Sequence, residues 1–211
     1  MGRVMRNINR MKPLKKIKFS VISLFPESLD SYLKASILNR AAVNGLFEII
    51  PFKLRDFLKN KKERVDEKPY GGGAGMVLRP EPIFRAVGKA RGRRSDKKTR
   101  VILFSTRGKV FNSKIARRLA SYDHLILICG RYEGVDERVA SHLVDEEISI
   151  GDFILAGGEI PALVLIEAVS RHIPGVLGKK ESLEEVKGSY MAYTRPEVFT
   201  TKDGKKLKVP A

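Results

Sequence analysis

Short apolar runs that lead into glycine-rich loops are the feature that most constrains how this chain can fold. Residues 100–105 (RVILFS) and 124–129 (HLILIC) are rich in branched aliphatic side chains and show little polar alternation. Such runs are typical of short parallel strands that are buried on both faces. Residues 17–25 (IKFSVISLF) form a third run of strand-forming residues. We therefore predict a buried, mostly parallel sheet that contains all three runs.

Helical patterns separate these strands along the chain. Pro26, Pro80 and Asn112 are residue types that favour the start of a helix. We predict helices over residues 26–44, 80–90, 112–122, 135–142 and 161–172, and further strands over residues 47–53 and 146–150. Strands that alternate with helices predict an α/β fold in which helices flank the sheet. Beyond Pro174 we expect irregular chain and no further core element.

Positive charge is concentrated in three parts of the sequence. The chain of 211 residues has 41 Lys and Arg against 24 Asp and Glu, a net charge of +17. The excess lies mainly in residues 1–18, 89–100 and 202–208. Clustered positive charge favours a polyanionic partner, because binding phosphates releases condensed counterions. Basic segments that only aid solubility would have the same composition, so charge alone leaves nucleic acid and a solvated surface equally open.

Several classes of protein are disfavoured by the sequence. It contains no G-x-x-x-x-G-K-[ST] phosphate loop, no G-x-G-x-x-G after a strand and no G-x-S-x-G turn. Its single cysteine, Cys129, is predicted to be a buried structural thiol, and its three histidines lack metal-ligand spacing, so we predict no metal site. No apolar run approaches the ~18 residues of a membrane span, and the N-terminus lacks a secretory signal. We expect a cytoplasmic protein that binds no membrane.

Three glycine-rich loops, at residues 69–75, 130–134 and 151–158, are the candidate ligand-binding segments. Glycine lets backbone amides approach a ligand closely. The last two loops follow predicted strands, and open α/β sheets bind ligands at the carboxyl ends of their strands. From the loops alone, an unspecified ligand site and purely structural turns are equally compatible with the pattern.

A series of motifs in a fixed order makes the interpretation more specific. Along residues 17–198 they read SLFPE (23–27), RDF (55–57), VD (65–66), PYGGGAGM (69–76), CGRYEGVDER (129–138), DEE (145–147), SIGD (149–152), GGE (157–159), SR (170–171), IPGVLG (173–178) and YTRPEV (193–198). In this combination the sequence resembles the bacterial tRNA (guanine-N1)-methyltransferases of the SPOUT class. The segments around YGGG and YTRP are particular to that family within the class.

The resemblance implies a fold, a reaction and an assembly. The fold is an α/β domain over residues 17–175 with a deep C-terminal trefoil knot, between a mobile basic extension (1–16) and a linker with a basic tail (176–211). The reaction transfers a methyl group from S-adenosylmethionine to ring nitrogen 1 of the guanosine 3′ to the anticodon of tRNA, and the family suggests a magnesium dependence. The assembly is a homodimer with active sites at the subunit interface, and no DNA partner is expected.

For the methyl donor, the resemblance implies a pocket built from residues that follow three of the strands. They are Phe104, Ser105, Gly130, Tyr132, Glu133, Gly134, Ile150, Gly151, Asp152, Phe153, Ile154, Leu155, Gly157 and Gly158. Ile150 and Leu155 are expected to pack against the adenine faces while backbone groups hydrogen-bond its edge, although both residues and Phe153 also suit an ordinary core. The family usually has proline where this chain has Thr106, which predicts a modestly looser wall.

For catalysis, the resemblance places Arg171 near the guanine, where its positive charge would stabilise charge that develops on the guanine oxygen. An arginine that interacts with the C-terminal end of a helix would look the same in the sequence. The family's base is an aspartate, but an ungapped comparison puts Val186 at that position, and valine cannot accept a proton. Our hypothesis is that Glu185, or else Glu184, is the base, and two solvated linker charges are the alternative.

For the tRNA substrate, the resemblance implies a long loop that approaches the guanine and the donor. The implied contacts are Arg55, Asp56, Arg64, Gly72, Gly73 and Arg195. The family continues beyond the YTRP segment into a small helical domain that binds tRNA, which we expect this sequence to lack. Two other functions stay open: a catalytically impaired RNA-binding relative, which Val186 motivates, and a SPOUT methyltransferase for ribosomal RNA or a ribose hydroxyl.

Overall fold

The structure is a computed structural model that describes residues 16–92, 98–177 and 191–210. The chain divides into two compact units after Leu177. The division into residues 1–16, 17–175 and 176–211 with the roles expected above stays a prediction.

Strands and helices alternate through the described part of the first unit. Its strands are β1 (Ile17–Ser23), β2 (Phe47–Lys53), β3 (Asp66–Glu67), β4 (Val77–Leu78), β5 (Thr99–Val110), β6 (His124–Ile128) and β7 (Glu146–Ser149). Its α-helices are α1 (Asp30–Leu33), α2 (Ser36–Val43), α3 (Pro80–Arg91), α4 (Ser113–Leu119), α5 (Glu137–His142) and α6 (Glu159–Ser170). No helix within the described ranges is both long and apolar enough to cross a membrane.

One parallel sheet organises this unit. Its strands lie in the order β2, β1, β6, β5, β7, and every neighbouring pair is parallel. The short strands β3 and β4 pair separately and antiparallel. The predicted α/β class with a mostly parallel sheet is therefore confirmed, whereas the trefoil knot stays a prediction.

Two apolar clusters cover the two faces of the sheet. Successive side chains of a strand point to opposite faces, so that Leu125 and Leu127 of β6 belong to one cluster while Ile126 and Ile128 belong to the other. Helices α2, α4 and α6 supply buried residues to the first cluster, and α3 and α5 supply them to the second. The sheet thus lies between two layers of helices, as expected for buried parallel strands.

The helices differ from the sequence prediction mainly near the N-terminus. A single helix over residues 26–44 is wrong, because a 3-10 turn (Pro26–Leu29) leads into α1 and α2 begins only at Ser36. Ser36 has φ 49°, a left-handed conformation that interrupts the helix. The helix expected after Asn112 is confirmed as α4, and the Asn112 side chain accepts a hydrogen bond from the backbone N–H of Ile115 at 3.0 Å.

Strand β5 is longer than the predicted strand over residues 100–105. It continues to Val110 beside β7, and its pairing with β7 shifts register between Phe104 and Lys109. At Gly108 the two backbones lie so close that an added Cβ would be 2.5 Å from the backbone nitrogen of Ile148. Glycine is therefore required at this position by close approach of the backbone.

The described part of the second unit contains a small antiparallel hairpin. Strands β8 (Val198–Thr200) and β9 (Lys206–Lys208) pair with Phe199 opposite Leu207. The expectation of irregular chain is wrong for this segment. All residues of both strands are exposed, so the hairpin buries no core of its own among the described residues.

Candidate functional site

A cavity of about 510 Å³ lies at the carboxyl ends of β6 and β7, beside the middle of the long strand β5. Its main walls are residues 103–107 of β5, residues 130–135 after β6, and a segment from the end of β7 to residue 158. Open α/β sheets bind ligands at this edge, because loops that follow parallel strands converge there. The position of the cavity therefore matches the ligand site expected from the glycine-rich loops.

Thirteen of the fourteen residues that were predicted to contact the donor line this cavity. They are Phe104, Ser105, Gly130, Tyr132, Glu133, Gly134, Ile150, Gly151, Phe153, Ile154, Leu155, Gly157 and Gly158. The remaining residue, Asp152, is exposed and lies outside the described lining. Thr106, the departure from the family's proline, also lines the cavity. The fold thus brings together residues from three separate loops, while their roles as donor contacts stay a prediction.

Two of the cavity loops touch along their backbones. The N–H of Gly158 donates to the carbonyl oxygen of Gly130 at 2.9 Å, and Arg131 and Gly157 form an antiparallel bridge. A Cβ on Gly158 would lie 2.6 Å from the Cα of Cys129. Because no side chain fits between the loops at this point, they form one continuous wall.

A partly buried ion pair joins the same two loops. Nε of Arg131 donates to Oε2 of Glu159 at 3.1 Å, and the hydroxyl of Ser23 donates to Oε1 of Glu159 at 2.5 Å. Only 7% of the Glu159 side chain is exposed. The guanidinium of Arg131 lies 5.1 Å from the ring centroid of Phe25. None of these four residues was predicted to have a role in the site, although each belongs to one of the quoted motifs.

The thiol of Cys129 is buried beneath this wall, as predicted. Burial raises the pKa of the Cys129 thiol well above its usual value, and the negative charge of Glu159 raises it further. A thiol that stays protonated is a poor nucleophile. Cys129 therefore has the properties of a packing residue rather than of a catalytic group.

Charged side chains that were not among the predicted site residues lie on another part of the lining. Nη2 of Arg107 donates to Oε2 of Glu137 at 2.8 Å and lies 3.5 Å from Oε2 of Glu147. The hydrogen bond that Arg107 donates to Glu137 is the main reason why the pKa of Arg107 is raised. Oε2 of Glu147 is buried and accepts no hydrogen bond within the described part of the chain, so its contact with Arg107 is an ion pair only. The motifs DEE and VDER contain both glutamates, and only the fold shows that they meet.

The loop with the third glycine cluster is attached to the cavity wall. The N–H of Glu133 donates to the carbonyl oxygen of Met76 at 3.0 Å, and a Cβ on Gly75 would lie 2.3 Å from Oε1 of Glu133. Gly72 and Gly73, the predicted substrate contacts, have φ of 91° and 127° and are exposed. Both lie outside the described lining of the cavity.

Three of the other predicted tRNA contacts, Arg55, Asp56 and Arg64, also lie outside this lining. Arg55 and Asp56 are exposed on a 3-10 turn (Leu54–Phe57), and Arg64 pairs with the buried carboxylate of Asp66 at 3.3 Å. Arg195 belongs to the second unit, where it is exposed and precedes a cis peptide bond. Their contacts with RNA stay predictions.

Of the predicted catalytic residues, the structure describes only Arg171. Arg171 follows the last turn of α6, and its Nη1 lies 3.6 Å from Oε1 of Glu167. This is the position that a helix-terminating arginine would occupy, and it lies outside the described lining. Glu184, Glu185 and Val186 lie outside the described residues.

Metal-ligand geometry is not found in the part of the chain that the structure describes. There, no group of three or more His, Cys, Asp or Glu side chains is arranged to hold a metal ion. The magnesium dependence suggested by the resemblance therefore stays a prediction.

A parallel sheet between two helical layers, with a glycine-walled cavity at the carboxyl ends of its strands, defines an α/β protein with a candidate small-molecule site at the sheet edge. The family follows from direct comparison. The model of the tRNA (Guanine-1)-methyltransferase TrmD family matches residues 17–211, and the chain belongs to this family. The resemblance stated from the motifs, and with it the enzyme class, is confirmed.

Individual relatives agree with this assignment. A tRNA (guanine-N(1)-)-methyltransferase of Dictyoglomus turgidum is 47% identical over 194 residues, which are 92% of this chain and 77% of that protein. One of Dehalococcoides mccartyi is 49% identical over 188 residues, which are 87% of this chain and 75% of that protein. The crystal structure of the tRNA (m1G37) methyltransferase of Aquifex aeolicus superposes with a TM-score of 0.76 at 40% identity and covers 92% of this chain and 81% of that one.

Proposed function

We propose that this chain transfers a methyl group from S-adenosylmethionine to ring nitrogen 1 of the guanosine 3′ to the anticodon in tRNA. One observation carries the proposal: in a chain of this family, thirteen of the fourteen expected donor contacts line a single cavity. The proposal includes a cytoplasmic location and a stimulation by magnesium.

The residues present fit the proposed donor. A volume of about 510 Å³ falls within the ~300–1,000 Å³ of typical small-molecule sites. Ile150 and Leu155 offer apolar surface for a flat base, and the glycines of the wall leave backbone groups accessible to its polar edge. Glu133 and Glu147 place carboxylates in the lining, where negative charge favours a sulfonium cation.

The donor supplies an electrophilic methyl group on its sulfonium. The contribution of the protein is to hold the two reactants in line, since proximity and alignment lower the barrier of such a displacement. Arg171 is proposed to stabilise negative charge on the guanine oxygen, and Glu185, or else Glu184, to accept the proton that leaves ring nitrogen 1. Single-turnover methyl transfer by Glu185→Gln and Glu184→Gln tests the base, and a loss of no more than a few-fold in both variants would refute it.

The proposed assembly is a homodimer with its active sites at the interface. Ile160 and Val164 lie one turn apart on α6 and are 57% and 41% exposed. Ile154, which lines the cavity, is 88% exposed. Apolar surface of this kind is typical of a protein interface. Arg171 lies at the end of the same helix and outside the cavity of its own chain. We therefore propose that a second copy packs on α6, so that Arg171 of one subunit reaches the donor bound by the other.

Exposed lysines support the proposed tRNA partner. Lys59, Lys61 and Lys62 are exposed in the loop before β3, and Lys206 and Lys208 are exposed on the hairpin of the second unit. Side chains of this kind bind phosphates without reading sequence, so binding should weaken steeply with salt. A flat response of tRNA affinity between low and moderate salt would reject this electrostatic contribution.

The decisive experiment uses labelled S-adenosylmethionine and two tRNA transcripts. One carries guanosine 3′ to the anticodon, and its matched control carries adenosine there. We expect label in the first transcript only, as 1-methylguanosine. Label in neither, from a chain that binds the donor and tRNA, would refute the reaction and favour the impaired RNA-binding relative. Equal label in both would place the methyl group elsewhere and favour another RNA target.

A further inference from the structure

We propose that the ion pair between Arg131 and Glu159 is a positioning device, which sets the spacing of two walls of the donor cavity and thereby the affinity for the methyl donor. The inference rests on the proposed function, because it concerns the same cavity. It assigns a role to residues that lie in the motifs but that the reaction itself does not use.

The pair fills the space beside the junction of the two loops. A Cβ on Gly157 would lie 2.4 Å from Nε of Arg131 and 2.5 Å from Oε2 of Glu159. Gly157 itself lines the cavity, as do Arg131 and its neighbours Gly130 and Tyr132. A change in the length of the ion pair must therefore move backbone that forms the wall.

The pair also ties both loops to the centre of the sheet. Ser23, which donates to Glu159, is the last residue of β1, and β1 is hydrogen-bonded between β2 and β6. Phe25, which lies under the Arg131 guanidinium, follows two residues later. A site is held most accurately when its supporting residues are fixed to rigid elements rather than to other loops.

Burying charged side chains at this position costs free energy of desolvation, which apolar side chains would avoid. A buried carboxylate is poorly solvated. Proteins in which apolar side chains of similar volume replace a buried ion pair are often as stable as the original. What the ion pair adds is direction, because Glu159 accepts from both Arg131 and Ser23 at fixed distances. Arg131 itself belongs to the lining, but its guanidinium is held by Glu159 and Phe25, and we infer that it acts by positioning the loops.

The test separates folding from donor binding with three variants. Arg131→Met removes the pair and leaves a buried carboxylate without its partner. The double variant Arg131→Met/Glu159→Gln removes the pair without leaving that charge, so it should unfold at higher denaturant concentration than the single variant. Arg131→Lys keeps the charge and should rescue part of the affinity. The affinity for S-adenosylhomocysteine, measured by calorimetry well below the unfolding temperature, should fall at least ~10-fold in both Arg131→Met variants, since displacements of about 1 Å in a binding site have large effects.

A matched control comes from an ion pair at the amino ends of the strands, away from the cavity at their carboxyl ends. Glu146 accepts from Arg118 at 2.6 Å at the amino end of β7 and lies outside the described lining of the cavity. Glu146→Gln should lower stability but leave the affinity for S-adenosylhomocysteine unchanged.

Two results would overturn the inference in distinguishable ways. If the wild-type chain binds S-adenosylhomocysteine and the folded double variant binds it within twofold of wild type, the pair is structural only and the proposed function stands. If the folded wild-type chain does not bind S-adenosylhomocysteine at all, the donor cavity itself is wrong and the inference falls with it.

Discussion

Gly158→Ala is the substitution whose effect can be worked most directly from the structure. Gly158 has φ −82°, which alanine adopts without strain, so the effect is steric alone. The new Cβ would lie 2.6 Å from Cα of Cys129, whereas carbon atoms in contact are about 3.5–4.0 Å apart. The two loops must therefore separate by about 1 Å, which breaks the 2.9 Å hydrogen bond between Gly158 and Gly130.

The expected loss of stability is the sum of two effects. Overpacking costs ~1–3 kcal/mol, and a lost hydrogen bond costs ~0.5–1.5 kcal/mol. We expect the free energy of unfolding to fall by roughly 2–4 kcal/mol in urea denaturation. Because the displaced backbone lines the cavity, the affinity for S-adenosylhomocysteine should fall in the same variant.

A second glycine provides a control, because its replacement by alanine is expected to raise stability rather than lower it. Gly88 is exposed within α3, and a Cβ there would meet nothing within 4 Å. Gly88→Ala should therefore raise stability by ~0.5–1 kcal/mol through helix propensity and leave the affinity unchanged. A Gly158→Ala variant that is as stable as wild type and binds S-adenosylhomocysteine equally well would refute the close packing of the two loops.

Three further predictions concern other parts of the fold. Asn112→Ala should lower the free energy of unfolding by about 1 kcal/mol because it removes the N-cap of α4, while Asn112→Asp should retain most of it; urea denaturation of both variants checks this. Burial lowers the pKa of His172, so the folded chain binds this proton less tightly than the unfolded chain, whose histidine has a pKa of about 6.5. Stability from this group is therefore complete above about pH 6.5 and declines as the pH falls through the folded-state pKa, and His172→Gln should flatten that part of the urea-midpoint profile. Ile160→Lys combined with Val164→Lys should give a folded monomer in analytical ultracentrifugation, since both side chains are exposed on α6, and a persistent dimer would show that the interface lies elsewhere.

The buried strands and the position of the cavity were predictable from sequence because each depends on local composition. A run such as residues 124–129 has no polar side chain that could face solvent, except at its ends, and the glycine loops directly follow such runs. The break at Ser36 was not predictable, because the apolar spacing of residues 29–41 continues through it and only the left-handed conformation of Ser36 ends the pattern.

Contacts between residues that are far apart in the sequence were the other part of the structure that could not be predicted from sequence. Arg131 and Glu159 are 28 positions apart, and Ser23 and Glu159 are 136 apart. No sequence periodicity relates positions so far apart, since they meet only where the ends of different strands converge. The motifs identified these residues as a group, but only the fold shows that Arg131 lines the cavity whereas Ser23 and Glu159 lie outside its described lining.

The distribution of charge is consistent with two partners of opposite sign. The chain has a net charge of +17, and its exposed lysines suit a polyanion. The lining of the cavity has the opposite balance: its charged residues are Arg107, Arg131, Glu133, Glu137 and Glu147, and Arg131 is neutralised by Glu159. The remaining excess of carboxylates favours a cationic ligand inside a basic protein.

Under the proposed reaction the methyl donor loses its positive charge when it becomes the thioether product. The same lining should therefore hold S-adenosylmethionine more tightly than S-adenosylhomocysteine, and the difference should shrink with Glu147→Gln if the carboxylates are its cause.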